Sequence, residues 1–318
     1  MLVIYCSEQL DGMAAAAILL RYARLKNAKM RIGGFLTYTN KEENFQEMEK
    51  LKGDLLFILD FSPEQIVNLD EKLSRISTNN KIAYWNCHHP YDEKTIEIMM
   101  KHVHSLDFSG ALKNAPKQES RLCSAEMACH KFLPNDSVAI ELGRIAHDIE
   151  FWLRQDEISM KLADIIQSGY DKKDIIEALS KGAFWSDYTE KIRQTYLEKK
   201  TKALNDLMKN LIIRKYVNLN FGFALASSIL SSADAGQKML DSHSAVDVTA
   251  ILFRDGKISF RRREGTDIDL SKIAEIFLGG GHPYAAGGKL EENKTVSLEN
   301  LEKAVFEIDR KLKRFFIG

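Results

Sequence analysis

Two carboxylates and a pair of imidazoles recur at places where a chain usually turns. Asp11 lies in Gln9-Leu10-Asp11-Gly12, Asp60 in Leu59-Asp60-Phe61-Ser62, and His88 and His89 in Asn86-Cys87-His88-His89-Pro90. Each follows a short apolar run, so each stands where a strand is expected to end. Ligand sites of open α/β sheets lie outside the carboxyl ends of the strands. Asp, Asp and His-His converging there make an oxygen-and-imidazole set suited to manganese, magnesium or zinc. Asp148, in Ala146-His147-Asp148-Ile149-Glu150, is a further candidate, since a carboxylate on an apolar helix needs a partner. Taken alone, each Asp is more simply a turn or a helix cap. Their recurrence at successive strand ends is what points to a site.

A second constellation lies downstream. Gly279-Gly280-Gly281-His282 is followed by Pro283-Tyr284-Ala285-Ala286-Gly287-Gly288. Consecutive glycines let backbone N–H groups approach an anion, and a histidine adds a donor. Upstream, Ser259-Phe260-Arg261-Arg262-Arg263 ends a strand-like run, and alternation puts Arg261 and Arg263 on one face. Arg261 with Gly279, Gly280, Gly281 and His282 is therefore expected to bind phosphate, which guanidinium groups engage through paired hydrogen bonds.

The elements around these residues read as an α/β chain of 318 residues. Leu2–Tyr5, Arg31–Thr37, Leu55–Leu59 and Lys81–Trp85 have the length of buried parallel strands. Helical patterns over Met13–Leu25, Glu42–Leu51 and Pro63–Ile76 separate them, the last opening on Ser62-Pro63. From Glu119 to about Ser180 the pattern is helical. Asp187–Lys215 holds no Gly or Pro and carries eight Lys/Arg against four Asp/Glu, as expected of a long, solvated connecting helix. Strands over Val246–Phe253 and Lys257–Arg263, joined at Arg254-Asp255-Gly256, begin a smaller C-terminal α/β domain. A helix over Asp269–Phe277 follows, and an amphipathic one over Ser297–Phe316 closes it.

Composition narrows the partners. Forty-five Lys and Arg balance 45 Asp and Glu, so the field of a dedicated duplex binder is missing and any nucleic-acid contact uses a local patch. No apolar run approaches the ~20 residues that span a bilayer, and the first residues lack a signal-peptide layout. Cys6, Cys87, Cys123 and Cys129 show no paired spacing, as expected of reduced thiols in the cytoplasm.

With these motifs, nearly the whole chain resembles the DHH phosphoesterase superfamily with a DHH-associated C-terminal domain, in context closest to its archaeal RecJ-like branch. The resemblance implies a mainly parallel DHH domain over residues 1–186, the connecting helix over 187–215 and a substrate-binding domain over 216–318. It implies a two-metal centre between the domains, with Asp11, Asp60, His88 and Asp148 holding one ion and His89 catalytic. Ligands of the second ion are missing. Gln9 stands where the family has Asp, Tyr5 or Ser7 where it has His, and Cys87 where the naming motif has Asp. One strong manganese position, with magnesium or zinc as substitutes, is therefore expected.

The function expected from the resemblance is a RecJ-like, manganese-dependent exonuclease of weakened activity. It would bind single-stranded DNA or RNA in the interdomain cleft, using Trp85, Tyr284 and Phe260 as candidate stackers. The alternative is a non-catalytic replication or repair factor that binds single strands and helicase-associated proteins. A third reading is a small-nucleotide phosphodiesterase.

Overall fold

The computed structural model describes residues 1–37, 39–63, 66–89, 91–108, 122–290 and 295–317. Pro90 of the His-His segment and the start of the helical stretch from Glu119 lie outside them. The chain divides into two compact units, Met1–Arg193 and Gln194–Gly318.

Unit one is built on five parallel strands: β1 (Leu2–Ser7), β2 (Met30–Leu36), β3 (Leu55–Leu59), β4 (Lys81–Cys87) and β5 (Leu106–Phe108). Their order is β2-β1-β3-β4-β5. The order reverses at β1, so the crevice for a ligand lies at the carboxyl ends of β1 and β3. Side chains alternate across the sheet. Ile4, Cys6, Phe57, Leu59 and Tyr84 pack against α1 (Leu10–Leu25), α5 (Ser124–Phe132), α6 (Ser137–Glu150), α7 (Glu157–Gln167) and α8 (Lys172–Ser180). Val3, Tyr5, Leu56, Ile58 and Trp85 face α2 (Lys41–Lys50), α3 (Leu69–Asn79) and α4 (Glu93–His102). The expected mixed α/β class with a parallel sheet is what the chain adopts.

Helix α1 is buried from Leu10 through Leu20. Its run Ala14-Ala15-Ala16-Ala17 is small enough for close packing, and alanine keeps the helical propensity high. Gly12 allows α1 to start against the end of β1, because a Cβ there would lie 2.9 Å from the backbone N of Ser7.

Unit two carries six strands in the order β10-β11-β9-β8-β7-β6: β6 (Ile212–Tyr216), β7 (Leu219–Leu225), β8 (Val248–Leu252), β9 (Lys257–Arg262), β10 (Gly280–His282) and β11 (Ala285–Lys289). β7 and β8 are parallel, joined through α10 (Ser232–Ser242); the other pairs are antiparallel. α11 (Leu270–Glu275) and α12 (Leu301–Ile317) close one face over Phe221, Phe223, Phe260 and Phe277. Among the described residues no helix is long and apolar enough to cross a membrane.

The largest shifts of expected boundaries are at α3 and the long connecting helix, beside smaller ones such as α1 starting at Leu10 and the last helix at Leu301. The helix after Ser62-Pro63 begins only at Leu69. Its cap, Asn68, has φ 55°, and Ile66 N donates to Pro63 O. The long helix α9 runs Asp187–Lys209 and stops short of Lys215. Ile212 to Tyr216 instead pair with β7, where β-branched side chains at 212 and 213 suit a pleat.

The helix that carries His147, Asp148 and Glu150 is anchored at its start. Asp136 caps α6 by accepting from Ala139 N at 2.9 Å, and the Arg21 guanidinium forks onto its two oxygens at 2.7 and 2.9 Å. Arg21 and the capped amides hold the Asp136 carboxyl below the usual carboxylate range. A depressed acid contributes stability above its unfolded pKa, near 4, and that contribution is lost as pH falls through the folded value. Asp136→Ala should therefore destabilise the protein by about 1–2 kcal/mol at pH 7, and by less at pH 3. Urea titrations of both proteins at the two pH values check this.

Candidate functional site

The carboxyl ends of β1, β3 and β4 bring Asp11, Asp60 and His88 together. Asp11, in the first turn of α1, is buried, and its two oxygens accept from Ser124 N at 2.8 Å and Ala125 N at 2.7 Å. These are the leading amides of α5, whose dipole favours a negative charge there. Asp60 follows β3 with φ 54°, an uncommon left-handed setting for a non-glycine residue. Asn86 fixes that turn by accepting from Asp60 N through its side chain and its carbonyl. The Asp60 carboxylate accepts from Ser7 Oγ at 2.5 Å and Ser124 Oγ at 3.1 Å.

His88 lies between them. Its Nδ1 is 3.3 Å from Asp11 Oδ2 and 3.2 Å from Asp60 Oδ1, and its Nε2 is 3.0 Å from Glu150 Oε1. His89 stacks on it, ring centroids 4.2 Å apart, and approaches Cys87 Sγ at 3.2 Å. Despite the short distances, the buried Nδ1 of His88 forms no hydrogen bond of acceptable geometry. Asp60, His88 and His89 can each bring a ligand atom within 4.8 Å of the others. An imidazole nitrogen and carboxylate oxygens that converge in this way suit a divalent ion, so these residues fit one.

The electrostatics show a centre that attracts positive charge. Burial opposes ionisation of Asp11, but His88 and the Ala125 and Ser124 amides more than reverse this and hold the carboxyl below its usual range. Asp60 is pushed up, by burial first and the Asp11 charge second, against the pull of His88. Burial alone would lower His88, but Asp11, Asp60 and Glu150 lift it well above the ordinary imidazole value. Burial and the Asp60 charge push the Cys87 thiol up to about 12, so it stays protonated at neutral pH. The centre can hold either a proton on His88 or an external cation.

Asp148 goes elsewhere. Its carboxylate is buried and accepts from Gln155 N, Asp156 N and Ser159 Oγ, none of which belongs to the Asp11–Asp60–His88 group. Glu150, two residues on, supplies the helix-α6 carboxylate that reaches His88, and sequence reading missed it. The available signal was its place in the last turn of a helix, where the dipole disfavours an acid. Of the two residues in the place of the family's histidine, Ser7 bonds Asp60, while Tyr5 packs among the α2–α4 helices. Gln9 is exposed. A cavity of about 820 Å³ lined by Glu126, His130, Arg144, His147 and Leu153 opens on the α5–α6 side and includes neither Asp60 nor His88.

In unit two the expected glycine loop is an edge strand, β10. His282 pairs with Ala285, Ala285 with Arg261, and Arg261 with Thr249, so these four form one row on one face of the sheet. His282 and Arg261 thus flank the small Ala285, about 10 Å apart by two strand spacings. Gly279 and Gly281 are glycines because of packing, since a Cβ would strike the backbone of Gly287 and Ala286 respectively. Over Gly280 a Cβ would meet nothing within 4 Å, so an anion can approach its backbone there. Arg263 does not join this face as a ligand group. Its guanidinium donates to the carbonyls of Leu240, His243 and Val246, fixing the end of α10. Two expected stackers are core residues: Trp85 and Phe260 are both 0% exposed, and Trp85 donates to Phe61 O. Tyr284 is 57% exposed and stacks on His282 at 5.3 Å.

Removing His88 from metal-free protein would leave buried acids facing one another. Breaking a buried ion pair from one side costs about 3–5 kcal/mol. A raised histidine contributes fully below its unfolded pKa, near 6.5, and progressively less as pH rises toward the folded value. Denaturation in chelator should show His88→Asn destabilised relative to the parent chain, with the gap widest at pH 6 and narrower at pH 9.

Residues 222–314 match the family model of the DHHA1 domain. No curated protein matches the chain in sequence. Among solved structures, RecJ from Thermus thermophilus in complex with Mn2+ superposes with a TM-score of 0.64 at 11% identity, covering 99% of this chain and 52% of that one. The chain therefore spans about half the length of that protein. The DHH domain of a protein described as belonging to a family of ribosomal proteins gives 0.69 at 14%, covering 98% and 86%. CDC45 from Entamoeba histolytica gives 0.54 at 9%, covering 100% and 95%. At such identities the superpositions establish the fold, which is that of the DHH proteins, and residues 222–314 carry a DHHA1 domain.

Proposed function

We propose that this chain binds single-stranded nucleic acid and holds one manganese ion, as a cytoplasmic protein of the RecJ-like, archaeal type with slow hydrolysis. The observation that carries the reading is the meeting of Asp11, Asp60 and His88 around a buried Nδ1 that no hydrogen bond satisfies. Asp11, Asp60 and His88 would hold the ion; Asp148, the expected fourth ligand, would join them only by giving up Gln155 N, Asp156 N and Ser159 Oγ. A bound dication would acidify a water and take up charge developing on a phosphodiester. The protein's own part is to fix the carboxylates. Asp11 is set by the amides of α5, and Asp60 by Ser7, Ser124 and Asn86. His89, stacked on His88, is the proposed catalytic imidazole.

Phosphates are assigned to Arg261, Gly279, Gly280, Gly281 and His282. The row that puts Arg261 and His282 on one face, with open approach over Gly280, supports this. Neutral overall charge favours a single strand over a duplex, because a lone strand offers bases to stack in place of a dense phosphate field.

The second reading is a non-catalytic replication or repair factor that binds single strands and helicase-associated proteins. The exposed Gln9 and the protonated Cys87 favour it, since neither supplies the acid a second ion needs. A labelled single-strand assay with manganese decides between the two. Slow degradation that disappears in Asp60→Ala supports the first. Binding without degradation in both proteins supports the second. Calorimetry should count about one manganese per chain, and Gln9→Asp should strengthen a second, weaker site. His282→Ala should weaken single-strand binding by about 1.5–3 kcal/mol, the worth of a charged hydrogen bond; unchanged affinity places the phosphates elsewhere.

A further inference from the structure

The turn that follows α6 is built in a way its own folding does not require. Trp152 has φ 60° and Arg154 has φ 54°. A bulky residue there is a backbone outlier and strained. Asp148 holds the turn in that state. Its carbonyl accepts from Leu153 N at 2.9 Å and Arg154 N at 3.3 Å, and its carboxylate takes Gln155 N, Asp156 N and Ser159 Oγ. A buried carboxylate and five donors thus fix a strained surface turn.

What the turn displays is an indole. Trp152 is 50% exposed, and the Arg154 guanidinium lies over its ring with Cζ 3.4 Å from the centroid. Among the described residues Arg154 forms no ion pair. Of the three tryptophans, Trp85 is core, and Trp185 is half-buried, bonded to Glu190 and covered by Lys161. The preceding residue, Phe151, ties the turn to the centre, its ring 6.2 Å from His88 and 4.5 Å from His147. A half-exposed indole returns little burial energy for the strain of its backbone, so its rigid display needs another use.

We infer that Trp152 and Arg154 form a base-stacking platform beside the Asp11–Asp60–His88 centre. The ligand class is a nucleobase with its adjoining phosphate. The indole takes the flat heterocycle, and Arg154 rigidifies the ring and offers N–H donors to the phosphate. Asp148 acts as a positioning residue for the platform. The inference rests on the single-strand reading of the previous subsection.

The test uses the full chain with a fluorescently labelled ten-residue oligothymidylate in anisotropy, and unlabelled oligothymidylate and adenosine monophosphate as quenchers of tryptophan emission. Wild type should bind the strand and lose emission on titration. Trp152→Phe should bind but show no quenching, since the two remaining tryptophans are covered. Trp152→Ala should bind about 5- to 150-fold more weakly, the range for losing one base stack. If Trp152→Ala is misfolded by circular dichroism, the quenching difference between wild type and Trp152→Phe decides alone. If wild type binds the strand while Trp152→Ala binds within twofold and Trp152→Phe quenches equally, the platform is wrong and the single-strand reading survives. If no strand binds but the mononucleotide quenches Trp152 emission, the platform survives and the single-strand reading falls. Neither binding nor quenching overturns both.

Discussion

The pair of hydrogen bonds from the amides of Ser124 and Ala125 to the Asp11 carboxylate is the contact on which the N-terminal unit turns. It joins the first turn of α1 to the start of α5 across more than a hundred residues. It also fills the two leading amides of a helix whose other cap, Cys123, has only a thiol to offer. With those donors in place Asp11 stays ionised although buried, and its charge then acts on its neighbours. It raises the Asp60 carboxyl and helps lift His88. Ser124 serves twice, its amide on Asp11 and its hydroxyl on Asp60, so one residue sets the spacing of both acids.

That arrangement explains which parts of the centre were legible in the sequence. Asp11, Asp60 and His88 each follow a parallel strand by a few residues, and the order β2-β1-β3-β4-β5 forces those ends to one side. Period-two alternation likewise put Arg261 and Arg263 on one face; β9 ends at Arg262, and both guanidinium groups reach carbonyls of α10. What alternation cannot report is whether a side chain on a given face is already engaged. Arg263 is spent on three carbonyls, and Arg261, which shares a row with His282, also donates from Nε to Ser232 O at 3.3 Å. Trp85 and Phe260 were candidates by type alone, and burial removes both.

Helix α6 was the hardest segment to read. Asp148 and Glu150 are two residues apart, so they point to well-separated directions on a helix of 3.6 residues per turn. Either could have faced the strand ends. The deciding factor is the turn beyond the helix, whose amides at Gln155 and Asp156 need an acceptor, and Asp148 is within their reach. That demand is non-local to any motif and does not appear in a hydrophobic pattern. The start of α3 and the end of α9 slipped for a related reason. Ser62-Pro63 is a good local start, but a left-handed Asn68 delays α3 to Leu69, and Asp187–Lys215 is an uninterrupted local pattern that strand pairing cuts short.

Backbone strain concentrates where the fold serves something other than stability, with the β-branched Val217 as the exception. Seven non-glycine residues among those described have left-handed φ values. Asn27 and Asn68 sit at helix ends where asparagine tolerates that setting, and Val217 is in the turn between β6 and β7. The other four are Asp60, Trp152, Arg154 and Leu278. Each lies at one of the places singled out by chemistry: the end of β3, the turn after α6, and the approach to Gly279. Each is also fixed from outside, which is what strain requires if it is to persist. Asn86 holds Asp60, Asp148 holds the two turn residues, and at Leu278 the neighbouring glycine is the cause. Gly279 must lie against the backbone of Gly287, so the helix end has to turn one residue early, at a leucine that is 93% exposed. A chain selected for stability alone would have placed glycine or asparagine at these four positions. That it does not locates the constraint at Asp60, Trp152 and Arg154 in the side chains displayed there, and at Leu278 in the glycine edge it sits beside.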